Sequence, residues 1–131
     1  MITKVKPDQQ KSESLKKMAE TTLERLDNTD MEKYPSNTLL DYYDVIHKLI
    51  ESLTVREGIK LNGEGAHQEL IDYVAQQKKI DEHTRRFLQQ MRDYRNRISY
   101  EGFMINKNYI DLNKEIIRKI IKHLFGHLKQ R

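Results

Sequence analysis

Apolar residues recur at intervals of three and four along most of the chain, the period of an α-helix, and Gly and Pro are too sparse to interrupt it often. From about Asp8 to Asp27, residues Leu15, Met18, Ala19, Leu23 and Leu26 fall on one stripe. The remaining faces are charged or polar, as on an outer helix of a bundle. Residues Asn28 to Pro35 read as a polar connection, after which Ser36 or Asn37 offers an N-cap. The segment that follows, to Arg56, is the richest in apolar positions. Leu39, Leu40, Tyr43, Ile46, Leu49, Ile50 and Leu53 cover a wide stripe and predict the central helix. Gly58 ends it, and KLNGEG, from Lys60 to Gly65, predicts a loop whose Asn62-Gly63 step tolerates positive φ.

A short helix from Ala66 to about Gln77 turns Leu70, Ile71 and Val74 inward. Asp81 can cap a fourth helix carrying Phe87, Leu88, Met91, Tyr94 and Ile98, which should stop near Gly102 because glycine commonly follows a helix end. A last helix, roughly Tyr109 to Lys129, bears Leu112, Ile116, Ile117, Ile120, Ile121, Leu124 and Leu128. No repeat or low-complexity tract divides the pattern. It predicts one all-α domain over residues 1–131, with 1–8 as a short N-terminal tail. About five helices should form an up-and-down bundle, since short connections favour antiparallel neighbours.

Composition narrows the classes of function. No apolar run approaches the ~18 residues of a membrane span, and the first residues lack the hydrophobic segment of a signal peptide. A cytoplasmic protein without membrane contact is the expectation. The absence of cysteine excludes disulfides, a thiolate nucleophile and zinc-thiolate ligation. His123 and His127 are the one histidine pair four apart, but lysines surround them and no carboxylate neighbours them, so neither a metal nor a cofactor is expected. The formal charge of +4 and pI of 9.2 permit weak attraction to nucleic acid. Its distribution says more. Arg85, Arg86, Arg92, Arg95 and Arg97, five of the nine arginines, fall in a thirteen-residue window that holds one acid, Asp93.

Within that window lies MRDYRNRISYEG, Met91 to Gly102. Arg92, Arg95 and Ser99 are spaced three and four apart and share a helix face. Arg95 and Tyr100, five apart, converge where a helix is ending, as Gly102 suggests. The segment, set in a small all-α chain with a long second helix, resembles the HEPN superfamily, whose signature is an Arg, often followed by Asn, with a His four to six residues after the Arg. Arg95-Asn96 matches the first half, and Tyr100 stands at the histidine position.

The resemblance implies an RNA-directed domain. Active HEPN ribonucleases are metal-independent endonucleases in which homodimerisation brings two motifs together. When an RNA 2′-OH attacks the neighbouring phosphate, Arg neutralises the growing charge and His moves protons near pH 7. Arg95 fits the first role. Tyr100 departs from the second, because a phenol with a pKa of about 10 is ionised in only about one molecule in a thousand at neutral pH. Tyrosine suits proton donation or a hydrogen bond to phosphate, and His67 or His83 would have to reach the site from a neighbouring helix or a second subunit to supply a base. A subgroup of the family pairs with a minimal nucleotidyltransferase that modifies a tyrosine two residues past the His; here that position is Gly102.

The expected ligand-binding residues are therefore Arg92, Arg95, Asn96, Ser99 and Tyr100, with Arg95 and Tyr100 catalytic if the domain cleaves. The expected function is binding of RNA, a nucleotide or a nucleotidyltransferase partner through an Arg-rich cleft at a homodimer interface, with weak or no catalysis. The alternatives are an active endoribonuclease, such as the toxin of a toxin–antitoxin pair, and a structural dimerisation or adaptor module. Arg85, Arg86 and Arg97 read as a solvated face. Tyr42, Tyr43, Tyr73 and Tyr94 read as packing residues, His47 as a polar edge residue and His67 as a helix-start residue.

Overall fold

The computed structural model describes residues 2–63 and 65–130. Its elements in chain order are β1 (Ile2–Lys4), α1 (Gln9–Asp27), α2 (Pro35–Arg56), β2 (Ile59–Leu61), α3 (Ala66–Gln76), α4 (Glu82–Glu101) and α5 (Lys107–Lys129). The described residues form an all-α bundle of five helices. Among the described residues, no helix is long and apolar enough to cross a membrane.

Local chemistry sets most of the helix starts. The carboxylates of Asp8 and Asp81 accept from the backbone N–H of Lys11 and Thr84, and Asn106 accepts from Asn108, which starts α5 two residues before the expected Tyr109. Neither Ser36 nor Asn37 caps α2. That helix begins at Pro35, with Tyr34 at the N-cap and no side-chain cap bond. Proline at the first helical position gives up an N–H that would have had no partner inside the helix. The Ser36 hydroxyl instead accepts from the Ile105 N–H at 3.0 Å and ties the start of α2 to the α4–α5 connection.

The core is centred on α2, which buries Leu39, Tyr42, Tyr43, Val45, Ile46, Leu49, Ile50 and Leu53. Ala19 and Leu26 of α1, Leu70, Ile71 and Val74 of α3, Leu88 and Met91 of α4, and Ile117, Ile120, Ile121 and Leu124 of α5 close around it. Two residues of the expected stripes face solvent. Leu112 is 81% exposed because Ile110 and Ile117 set the inner face of α5, and Leu112 lies about 200° around the helix from Ile110. Met18, 49% exposed, sits at the edge of the stripe that Ala19 centres.

Helices α1 and α2 run antiparallel, with Ser12 opposite Ser52 and Arg25 opposite Asp41. Both serines are buried, and each hydroxyl donates to the carbonyl of the other residue, at 2.8 and 2.7 Å. Helix α3 departs from plain alternation. Its first turn places His67 against His47, and the connection after it places Lys79 against Glu57, so α3 runs in the same sense as α2. The return stroke is β2, which carries the chain back along the molecule between the two helices. It pairs antiparallel with β1, matching Ile2 with Leu61, Thr3 with Lys60 and Lys4 with Ile59. The expected free tail and the expected loop thus join in a small ribbon, Met1 and Glu64 lying outside the described residues. Gly58 makes the turn at φ +77, and its carbonyl accepts from the Val5 N–H at 2.7 Å.

Candidate functional site

The arginines of α4 divide into two groups. Arg85 grips Glu82 with two prongs, at 2.6 and 2.9 Å, and reaches Asp72 at 3.1 Å; Arg86 also bonds Glu82. Those two guanidiniums hold the Glu82 carboxyl down to about 2. Arg97 lies 4.0 Å over the Phe103 ring. Arg92 and Arg95 differ. Among the described residues neither is paired with a carboxylate. Arg92 Nε donates to Gln89 Oε1 at 2.9 Å, and Arg95 Nη1 donates to Asn96 Oδ1 at 3.0 Å. Both are half-buried.

These two charges act on a cluster that α2 and α3 build together. His67, from the first turn of α3, stacks on His47 of α2 with ring centroids 3.9 Å apart. Its Nδ1 is 3.3 Å from the Tyr43 hydroxyl, while His47 Nδ1 meets Glu51 Oε1 at 2.8 Å. Burial, then the positive charges of His47, Arg95 and Arg92, push His67 down to about 4. Burial likewise pushes the Tyr43 phenol up to about 12 against the pull of Arg92 and Arg95. The hydrogen bond from His47 holds the Glu51 carboxyl below its ordinary value. At neutral pH the cluster therefore contains a neutral imidazole and a neutral phenol. The Tyr43 hydroxyl and His67 Nδ1 share one hydrogen bond, and with the phenol as its donor the N–H of His67 sits on Nε2.

His47 and His67 also line a cleft of about 460 Å³ between the β-ribbon, α1, α2 and α3, bordered by Lys6, Lys11 and Lys60 with Asp8 and Glu51. His67 thus belongs both to a basic cleft and to the surroundings of the arginine pair.

Of the residues expected from the motif, Arg92 and Arg95 lie three apart on α4 and both act on His67 and Tyr43, and Asn96 is the acceptor that orients Arg95. The Arg95 guanidinium lies 5.9 Å from the Tyr100 ring. This contact forms without unwinding, since α4 continues to Glu101. Tyr100 is 76% exposed and Ser99 is also exposed, so the outer part of the motif faces solvent. Gly102 closes the helix at φ +69, where a side chain would be strained. His83 sits in the first turn of α4, about 18 Å along the helix from Arg95, and does not reach it within one chain. His67 does come within reach of the arginine charges. The reading of Tyr43 and His47 as packing and edge residues missed their part in the cluster. The available signal was the four-residue spacing of His47 and Glu51 beside the apolar stripe of α2.

Comparison of the chain with protein-family models, with curated proteins and with solved structures found no match in any of the three. The functional reading therefore rests on the fold and its side chains.

Proposed function

We propose that this chain is a HEPN-type domain that binds RNA or a nucleotide through its phosphate groups, with Arg92 and Arg95 as the anion-holding pair and His67 as a neutral hydrogen-bond donor beside them. The observation that carries this reading is the pairing of the arginines. Arg25, Arg85, Arg86 and Arg118 have carboxylate partners and Arg56 holds the last carbonyls of α5, whereas Arg92 and Arg95 are half-buried with one neutral side-chain acceptor each, within their own helix. A guanidinium removed from water gains most from an ionised oxygen acceptor, and phosphate is one whose geometry matches the guanidinium fork. The lysine-lined cleft supports a ligand longer than one phosphate.

A second reading is an endoribonuclease in which His67 replaces the motif histidine. Its support is the placement of His67 beside the arginine charges. It requires the other tautomer: Nδ1 would carry the proton toward Tyr43, and bare Nε2 would take the proton of the 2′-OH as that oxygen bonds to phosphorus and the 5′-oxygen leaves with a proton. The Tyr43 phenol opposes this tautomer, which ranks binding above cleavage.

Fluorescence anisotropy with a single-stranded RNA tests the reading. Affinity should fall as salt rises from 50 to 200 mM, because phosphate contacts release counterions. Arg92→Ala and Arg95→Ala should each weaken binding by roughly tenfold, the worth of one charged hydrogen bond. Each should also flatten the salt slope by about 0.7 for a single-stranded ligand. Absence of binding at low salt overturns the proposal and leaves the adaptor reading. Cleavage in EDTA that His67→Gln abolishes would favour the ribonuclease.

A further inference from the structure

At the far end of the bundle, α5 places His123 and His127 one turn apart on the same face. Each Nε2 is 2.9 Å from the main-chain carbonyl oxygen of Lys79, and the two nitrogens are 3.1 Å from one another. The rings meet nearly at right angles. The carbonyl is presented by the α3–α4 connection, where Lys78 adopts φ +59 and the Lys79 N–H bonds to Val74. The Lys79 ammonium is engaged by Glu57 at 3.0 Å.

Protons can satisfy the carbonyl, which has two lone pairs, but they leave the short approach of the two nitrogens without a bond of its own. If both Nε2 atoms carry hydrogen, each donates to the carbonyl, and two donor nitrogens face one another at 3.1 Å with no bond between them. If either is bare, its lone pair faces that oxygen or competes for the single remaining proton. A cation satisfies all three atoms together. Donors held at right angles ~2.1 Å from a metal are separated by about 3.0 Å. The separations here are 2.9, 2.9 and 3.1 Å.

We propose that His123, His127 and the Lys79 carbonyl form one face of an octahedral site for a divalent late transition-metal ion. Two imidazoles and a carbonyl suit nickel, cobalt, copper or zinc better than magnesium or calcium. Among the described residues, no three His, Cys, Asp or Glu side chains converge to hold a metal, and here the third donor comes from the backbone. His123 borders an open cavity of about 690 Å³ that also exposes Asp81 and Glu82, leaving room for water at the remaining positions. The histidines lie in the last turns of α5, the end whose dipole favours a cation and whose His127 and Leu128 carbonyls already hold the Arg56 guanidinium.

The test is calorimetric titration of the untagged full chain with NiCl2, together with proton–nitrogen NMR in the presence of CoCl2. One equivalent of Ni²⁺ should bind, with paramagnetic broadening centred on residues 79, 123 and 127. His123→Ala and His127→Ala should each weaken binding tenfold or more, since loss of an outer-shell partner alone costs about 10- to 100-fold. His83→Ala, on the first turn of α4, should leave it unchanged. Failure to bind Ni²⁺ at millimolar concentration, unchanged affinity in the double variant, or broadening centred on His47 and His67 would each overturn the proposal.

Discussion

The stack of His67 on His47 puts one imidazole where it resists protonation, and that has a consequence for stability. Folded, His67 titrates at about 4; unfolded, a histidine titrates near ~6.5. Between those values the unfolded chain binds the extra proton. The contribution of His67 is therefore fully present above about pH 6.5 and is lost progressively as the pH falls toward 4. Urea denaturation should show a lower midpoint at pH 5 than at pH 7, and His67→Gln, which keeps a neutral polar group, should shrink the difference. An identical drop in the variant would place the acid sensitivity elsewhere. Residue-level reading of the motif found Arg92 and Arg95 because three-residue spacing puts them on one helix face. It did not find His67 stacked on His47, because no local rule connects side chains on two helices across a ribbon. It also had no means of finding the Lys79 carbonyl, since every residue carries one and only the chain path aims it.

Among the elements, the helices were legible because their information is local: the apolar period, the aspartate caps and the closing Gly102 all lie within a turn or two of what they specify. The ribbon was not. Three-residue strands are too short for alternation to register, and β1 meets its partner from the far side of two helices in the sequence. The α2 cap was misread because Ser36 has the right chemistry for the role but is recruited by Ile105. Gly58 is the residue on which the ribbon depends. A Cβ there would lie 2.4 Å from the Val5 carbonyl oxygen, on a backbone already at φ +77. Gly58→Ala should lower the thermal midpoint by the equivalent of about 1–3 kcal/mol and speed amide exchange across β1 and β2, with helical circular dichroism unchanged. Gly63→Ala provides the contrast. Its φ of +89 carries the backbone cost, but nothing lies near the added methyl, so exchange in β1 should be undisturbed.

For the whole molecule, the surface is uneven. Cations gather along the ribbon cleft and Arg92–Arg95, whereas Tyr100, Met104 and Leu112 expose large apolar side chains around the α4–α5 connection beside the motif. The HEPN resemblance implies a second copy of the chain, and we propose that it seats on these exposed side chains. Sedimentation velocity at micromolar concentration should show a dimer, and Leu112→Glu, at a side chain 81% exposed and outside the core, should return it to monomer without loss of helicity. A monomeric wild-type chain would separate phosphate binding from dimerisation. The bundle also constrains where its own cleft can give way. Ser12 and Ser52 act as a vernier between α1 and α2: each hydroxyl finds the opposite carbonyl at a single axial setting, and a slip of one residue, about 1.5 Å, breaks both bonds in a dry interior. The α1–α2 pair is thus a fixed frame, and widening of the cleft for a ligand falls to α3 and the ribbon, the walls outside that register.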